Sequence, residues 1–475
     1  MNITKLFALV VFACALPAAA KDQPFAPVEQ TVTERTRRTV SWEKDVAARE
    51  ESRTRARQLL QRPLTVSSAV QVALLNNRGL QATFEEIGLS FADLREARTL
   101  ANPEAGLSVK IPNQPPKHPL YEWGLAQSFL DLLMLPLRTK VAREQLAAAQ
   151  LRVSDEVIRL TAEVKTAYYE LLADRSLIER LRVIQSAQSV SLELMQKLHE
   201  AGNVTDLKLT QEQAQYSMLR LELAKAEAEL REHREKLNRL LGVWGDDTEW
   251  DLAASELPRA PEGDFTLKRL ETLAVGNRLD FAAARAELES AAKALGLEKS
   301  FRFIGALDFG IAGEHEPDGL DLSGPSIRLE WPIFNQGQAR IARGEAQLRM
   351  ATAKFEQLAI DLRSEVRELR DRLISKRDIA RFYRDELLPT RRRITALTLV
   401  EYNAMLVGAF ELFNTRREDM EAERALIEAT RDYWITRAKL ERAVGGDLVA
   451  GPRPRPAAPA PSEGKKPKTA RHHSP

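Results

Sequence analysis

Ile327-Arg328-Leu329-Glu330-Trp331-Pro332-Ile333-Phe334-Asn335-Gln336-Gly337-Gln338-Ala339-Arg340 changes its period partway along. Ile327, Leu329 and Trp331 alternate with Arg328 and Glu330, the two-residue repeat of a strand with one apolar face. Past Gly337 the apolar residues recur every three or four positions. Leu348, Ala351, Phe355, Leu358, Leu362, Val366, Leu369 and Leu373 form one stripe among Arg, Glu, Gln and Asp. No proline interrupts 333–388, and a helix over 337–400 would have about 64 residues and reach about 96 Å. Such a helix needs packing partners along its whole length.

The same arrangement occurs earlier in the chain. Leu107, Val109 and Ile111 alternate with Ser108 and Lys110; after Pro112–Pro119, Tyr121, Trp123 and Leu125 alternate with Glu122 and Gly124. A helical stripe follows at Leu146, Ala149, Val153, Val157, Leu160, Val164, Ala167 and Leu171, and no proline interrupts 137–256. In the later half a strand over Phe303–Ile311 precedes the Ile327 strand, with a turn-rich loop expected over Gly313–Pro325. Two further matches support a duplication at an offset near 200 residues: Leu64–Arg78 with Phe265–Arg278, and His199–Leu209 with Tyr402–Leu412. The expected fold is mainly α with a small β part, as a duplicated helix–strand–strand–long helix–hairpin repeat.

Composition narrows the function. The chain has 475 residues with 70 basic and 68 acidic side chains, and Gly and Pro are few, 22 and 23. Residues 1–20 hold one Lys, and 451–475 hold six basic residues beside Glu463, which leaves 63 basic and 67 acidic residues in 21–450. A slightly acidic body lacks the electrostatic footprint of a nucleic-acid binder. No apolar run of about 18 residues lies beyond the N-terminus, which excludes a helical membrane span but not a β-barrel. The basic start, the run Leu6–Leu16 and Pro17-Ala18-Ala19-Ala20 predict a secretory signal peptide over 1–20. The only cysteine, Cys14, lies inside it, and the alternative is that Cys14 is a lipidated N-terminus. The tail 451–475, rich in Pro and Lys, is expected to be disordered. No nucleophile–base motif, phosphate loop or metal-spaced cluster stands out, so no enzyme activity, cofactor or metal is expected. His118 and His315 fall in expected loops, and two lone histidines make no metal site.

Leu329–Arg340, followed by Gly344-Glu345-Ala346-Gln347-Leu348, resembles the strand-to-helix junction of the TolC-like outer membrane factors. Tyr402–Phe413, and less fully His199–Thr210, are similar to that family's hairpin tip. The resemblance covers Leu64 to Leu448 and implies a homotrimer. Three chains would pool four strands each into a 12-stranded β-barrel that continues into a periplasmic α-helical barrel. It implies an N-terminal periplasmic segment at 21–63, repeats at 64–250 and 265–448, and no catalysis. The implied role is the exit duct of a tripartite efflux or type I secretion system. Its implied partners are a periplasmic adaptor, an inner-membrane pump of RND or ABC type, and outer membrane lipid. A periplasmic adaptor protein or a coiled-coil scaffold is the alternative; an adaptor normally has one hairpin flanked by β-rich domains, whereas this chain has two hairpins, and a scaffold has no use for two alternating strand pairs.

The resemblance also places site residues. A periplasmic gate falls on Glu411, Asn414, Arg416 and Arg417, with Lys208 at the corresponding place in the first repeat. Adaptor-docking tips fall on Gly202, Val204, Thr205, Met405, Val407 and Gly408. Met405 stands where the family has glycine, so a different turn is expected there. Trp123 and Trp331 are expected at membrane interfaces.

Overall fold

The computed structural model describes residues 23–448 except 112, 115–117, 262–268 and 317. The expected export segment with Cys14, the stretch Phe265–Leu267 and the tail lie outside the described residues. Helices α1 (Ala26–Thr36), α2 (Val46–Leu60), α3 (Val66–Asn76) and α4 (Arg78–Ala97) lead to strands β1 (Glu104–Lys110) and β2 (Leu120–Ser128). Then come α5 (Phe129–Glu200) and α6 (Asp206–Leu241). The order repeats with α7 (Leu270–Asn277), α8 (Leu279–Ser300), β3 (Leu307–His315), β4 (Asp321–Leu329), α9 (Gln338–Phe382), α10 (Leu388–Asn403) and α11 (Ala409–Ala443). No helix among the described residues is long and apolar enough to cross a membrane.

The strands form one antiparallel sheet in the order β1-β2-β3-β4. Its register puts Leu107, Trp123 and Gly313 in one row and Ala105, Leu125, Ile311 and Pro325 in another, so most of the large apolar residues of the four strands share a face, with Leu322 opposite Glu314 on the other. That face is open: Leu107, Val109, Ile311, Ile327 and Leu329 are all exposed. The other face carries Ser108, Lys110, Glu122, Asp308, Glu314 and Arg328. Neither edge strand, β1 or β4, has a second strand partner among the described residues. Pro325 sits on edge strand β4, where its missing N–H breaks no inner ladder.

Three expectations about these strands need correction. β3 starts at Leu307, because Phe301–Phe303 is a turn that closes α8. The expected loop Gly313–Pro325 is mostly ladder: Gly313 pairs Ser323 and His315 pairs Asp321, so the turn shrinks to 316–320. Trp331 lies just past β4 rather than within it.

The long helices are longer than the stripes implied. α5 begins at Phe129 and runs 72 residues, about 108 Å, with Pro136 in its second turn. The predicted 337–400 helix is also present, but it is not uniform. A π turn at Tyr383–Leu387 separates α9 from α10, and the Leu388 N–H donates to the Tyr383 carbonyl. Pro389 has no N–H to give, and its ring would collide with the carbonyl four residues earlier. One wider turn absorbs it without ending the helix.

Every residue of the first stripe, Leu146 to Leu171, is buried, packing α5 against α3, α4 and α6. Of the second stripe, in α9, only Leu362, Val366, Leu369 and Leu373 are buried, while Leu348, Ala351, Phe355 and Leu358 stay half-open. Lys165 of α5 binds Glu441 and Asp447, each at 2.6 Å, and so ties the first half to the end of the second. Nearby, the Asp155 carboxyl is pushed up to about 6, first by burial and then by Asp280, against Arg442 and Arg278. A carboxyl raised this way contributes stability below the unfolded value, which is lost as pH rises through 6. Asp155→Asn is therefore expected to stabilise the fold by about 2 kcal/mol above pH 6, and melting curves should show that advantage shrinking toward pH 4.

Candidate functional site at the hairpin tips

α5 and α6 form one helical hairpin, and α10 and α11 form the other. At the first tip, Gly202 has φ 78° and its N–H bonds the His199 carbonyl at 2.8 Å, while Asn203 N–H reaches Leu198 at 2.9 Å. At the second, Met405 has φ 60°, its N–H bonds Tyr402 at 2.9 Å, and Leu406 N–H reaches Glu401 at 2.9 Å. The two turns close with the same pair of bonds, so the expected difference in shape is absent. Methionine is held in the left-handed region that suits glycine, at a cost of about 1–2 kcal/mol. Its side chain is 93% exposed, as is most of Leu406 beside it, and Leu207 is exposed at the first tip. Val204 and Val407 are half-buried, and Thr205 and Gly408 start the return helices; Thr205 caps its helix, whereas Gly408 has no side chain to do so.

Glu411 is exposed in the first turn of α11, where a helix N-terminus favours a carboxylate. Asn414 is half-buried one turn on. Arg416 lies 3.7 Å from Asp419, and Arg417 lies 3.9 Å from Glu421, both along α11 itself. Lys208 is exposed, and its ammonium reaches no carboxylate among the described residues. The structure therefore brings Glu411, Asn414, Arg416 and Arg417 onto one helix end and leaves Lys208 apart from their ion pairs.

At the first tip His199 of α5 lies 3.1 Å from Asp206 of α6, and further bonds that join helices lie farther back. Within the second hairpin, Arg392 binds Glu423 at 2.7 Å, and Arg391 pairs with Glu418. Within the first, Ser191 and Gln188 converge on the buried Glu212 at 2.7 and 2.6 Å. Arg424 crosses between hairpins to Glu222. The sequence reading passed over Asp419, although a signal was present. Thr415, Asp419, Ala422, Leu426, Ala429, Tyr433, Thr436 and Leu440 follow a four–three spacing, and all but Leu426 are buried. A carboxylate therefore occupies a seam position normally given to an apolar residue. Burial holds its carboxyl above the usual carboxylate range, with Glu423 adding and Arg392 and Arg416 opposing.

Trp123 lies on the apolar face of the sheet with its indole across Gly313; a Cβ there would come within 2.5 Å of the ring. Trp331 is exposed at the opposite end of the strands. His315 ends β3 and bonds Asp321 at 2.6 Å, whereas it was expected in a loop; His118 is exposed.

Comparison with known proteins agrees with this architecture. Residues 69–243 match the outer membrane efflux protein family. The cobalt-zinc-cadmium resistance protein CzcC of Cupriavidus metallidurans is 22% identical over 382 residues, covering 78% of this chain and 86% of CzcC. The outer-membrane channel OprN superposes with a TM-score of 0.69 at 19% identity, over 91% of this chain and 97% of OprN. The Campylobacter jejuni CmeC outer membrane channel gives 0.69 at 15% identity, over 80% of this chain and 85% of CmeC. Residues 69–243 thus match the model of the outer membrane efflux protein family, and along most of its length the chain has the fold of outer membrane channels such as OprN and CmeC.

Proposed function

We propose that this protein is the outer membrane exit duct of a tripartite export system, and that it works as a homotrimer. The observation that carries the proposal is the four-stranded sheet: its apolar face is exposed and both its edges are open. Unpaired backbone groups are not tolerated in lipid, so the edges must pair with other copies. β1 and β4 run in opposite directions, so β4 of one chain can continue into β1 of the next, and three chains close 12 strands. The half-open stripe of α9 gains its missing partners in the same assembly. From Trp123 to the level of Trp331 is about eight residues of strand, about 27 Å. A tilted strand of that length spans the apolar band of about 25 Å and puts an indole at each interface.

On this reading residues 64–250 and 265–448 are the two repeats, and 21–63 is a periplasmic segment that braces them. The protein conducts and does not catalyse. The small or apolar tips at Gly202, Val204, Thr205, Met405, Val407 and Gly408 receive a periplasmic adaptor helix against helix. The strained, exposed Met405 supports this, since strain at a surface apolar residue is kept where contact uses it. The adaptor in turn links the duct to an inner-membrane pump, which selects the cargo.

Glu411 repeats three times around the closed end, and Asn414 lies a turn above it. Like charges held together in a narrow lumen attract cations and resist closure less when neutralised. Arg416 and Arg417 secure the closed state. Glu411→Ala and Arg416→Ala are each expected to raise single-channel conductance in planar bilayers severalfold. Unchanged conductance in both would remove the gate from these residues.

A further inference from the structure

A cavity of about 760 Å³ lies between the two hairpins of a single chain, bounded by α5, α6, α10 and α11. Its lining is rich in apolar side chains, with Leu181, Ile184, Met218, Leu399, Phe413 and Met420 among them, interleaved with arginines and carboxylates. Two polar atoms line it without a partner. Thr395 and Asp419 are both 94% buried or nearly so, at 6% exposure each, and neither Thr395 Oγ1 nor Asp419 Oδ1 has a hydrogen bond. A buried acceptor left unmade costs about 1–3 kcal/mol, and more when it is charged.

The arginines around this cavity do not ask for an anion. Arg180 lies 3.4 Å from Glu256, Arg392 lies 2.7 Å from Glu423, and Arg424 lies 2.9 Å from Glu428. Arg417 lies 3.9 Å from Glu421, and Arg416 lies 3.7 Å from Asp419 Oδ2, which leaves Asp419 Oδ1 without a hydrogen bond. The unmet demand is for a donor, and it falls on a desolvated carboxylate oxygen. A bare metal ion would find too few oxygens among the apolar walls, and no metal-binding group of His, Cys, Asp and Glu exists among the described residues. The volume falls in the range of about 300–1,000 Å³ that holds drug-sized molecules. Phe413 and the two methionine sulfurs suit a flat ring, and Phe413 suits one that carries positive charge.

We propose that this inter-hairpin cavity is a binding site for an amphiphilic organic cation, with Asp419 as its counter-ion, Thr395 as a second polar contact and the apolar walls holding its ring system. The site belongs to one chain and does not depend on whether the trimer conducts.

Ethidium, an aromatic monocation with amine N–H donors, is the probe. Its fluorescence anisotropy is followed as the purified full-length protein is titrated in detergent, against detergent alone and against the anion fluorescein. Saturable ethidium binding is expected, with no binding of fluorescein. Asp419→Asn should weaken it about tenfold or more, the worth of a hydrogen bond to a charged group. Leu399→Trp, which fills the cavity from a half-exposed wall position, should abolish it. Should Asp419→Asn not fold, Thr395→Val and Leu399→Trp carry the test. No saturable ethidium binding, equal binding by the variants, or equal binding of fluorescein would overturn the proposal and leave a hydrated void only.

Discussion

Gly242→Ala and Gly445→Ala are each expected to lower stability by about 3 kcal/mol or more. Gly242 ends α6 with φ 69°, and a Cβ on it would lie 2.6 Å from the Asn76 carbonyl oxygen at the end of α3. Gly445 follows α11 with φ 80°, and its Cβ would lie 2.7 Å from the Asn277 carbonyl oxygen at the end of α7. Each glycine thus combines a left-handed backbone with a backbone neighbour that cannot swing away. In the first repeat the joint is reinforced, because Asn76 Nδ2 donates to the Gly242 carbonyl at 2.7 Å and Asn77 Nδ2 to the Leu240 carbonyl at 2.8 Å. These bonds satisfy carbonyls that the end of α6 would otherwise leave orphaned. Gly202→Ala is the control: its φ is 78°, but nothing lies within 4 Å of a Cβ there, so only the backbone term of about 1 kcal/mol applies. Thermal melting followed by helix content separates the two classes. Equal, small losses at all three positions would mean that the joints are looser than described.

Gly310→Val is expected to remove the protein from the membrane fraction. A Cβ on Gly310 would meet the Leu125 carbonyl oxygen at 2.3 Å and Ser326 Oγ at 2.9 Å. Gly310 lies on β3, paired with Ala126 of β2, and the β2–β3 ladder joins the strand pairs of the two repeats. A branched side chain there pushes the two hairpins apart, and a split sheet exposes two more edges to lipid. Gly324→Val on β4 has open space around its Cβ and should insert normally. Equal loss in both variants would point to a general intolerance of β-branched residues rather than to this contact.

Much of the fold was legible because two periods in the sequence report burial directly. The alternation through Leu107–Ile111, Tyr121–Leu125 and Ile327–Leu329 yields the open apolar face, and the Leu146–Leu171 stripe yields the seam of α5. The π turn escaped, since the apolar stripe carries one helix over 337–400 through Pro389 and a single wider turn leaves no mark on that period. Gly242 and Gly445 escaped for a related reason. A glycine after a helix reads as an ordinary cap, and the carbonyl it must approach is some 165 residues away in sequence, as the Asn76–Leu241 bond shows. At the tips, Met405 suggested a different turn, yet hydrogen bonds matching those at Gly202 impose the same backbone. The inter-hairpin cavity was not legible at all, because Thr395 and Asp419 face it from different helices.

The most direct test of the central reading is cross-linking of the protein in isolated membranes, followed by separation of inner, outer and soluble fractions. A pooled barrel predicts the outer membrane fraction and a cross-linked limit of three chains. A soluble monomer, or a membrane-bound species that never exceeds one chain, would contradict it.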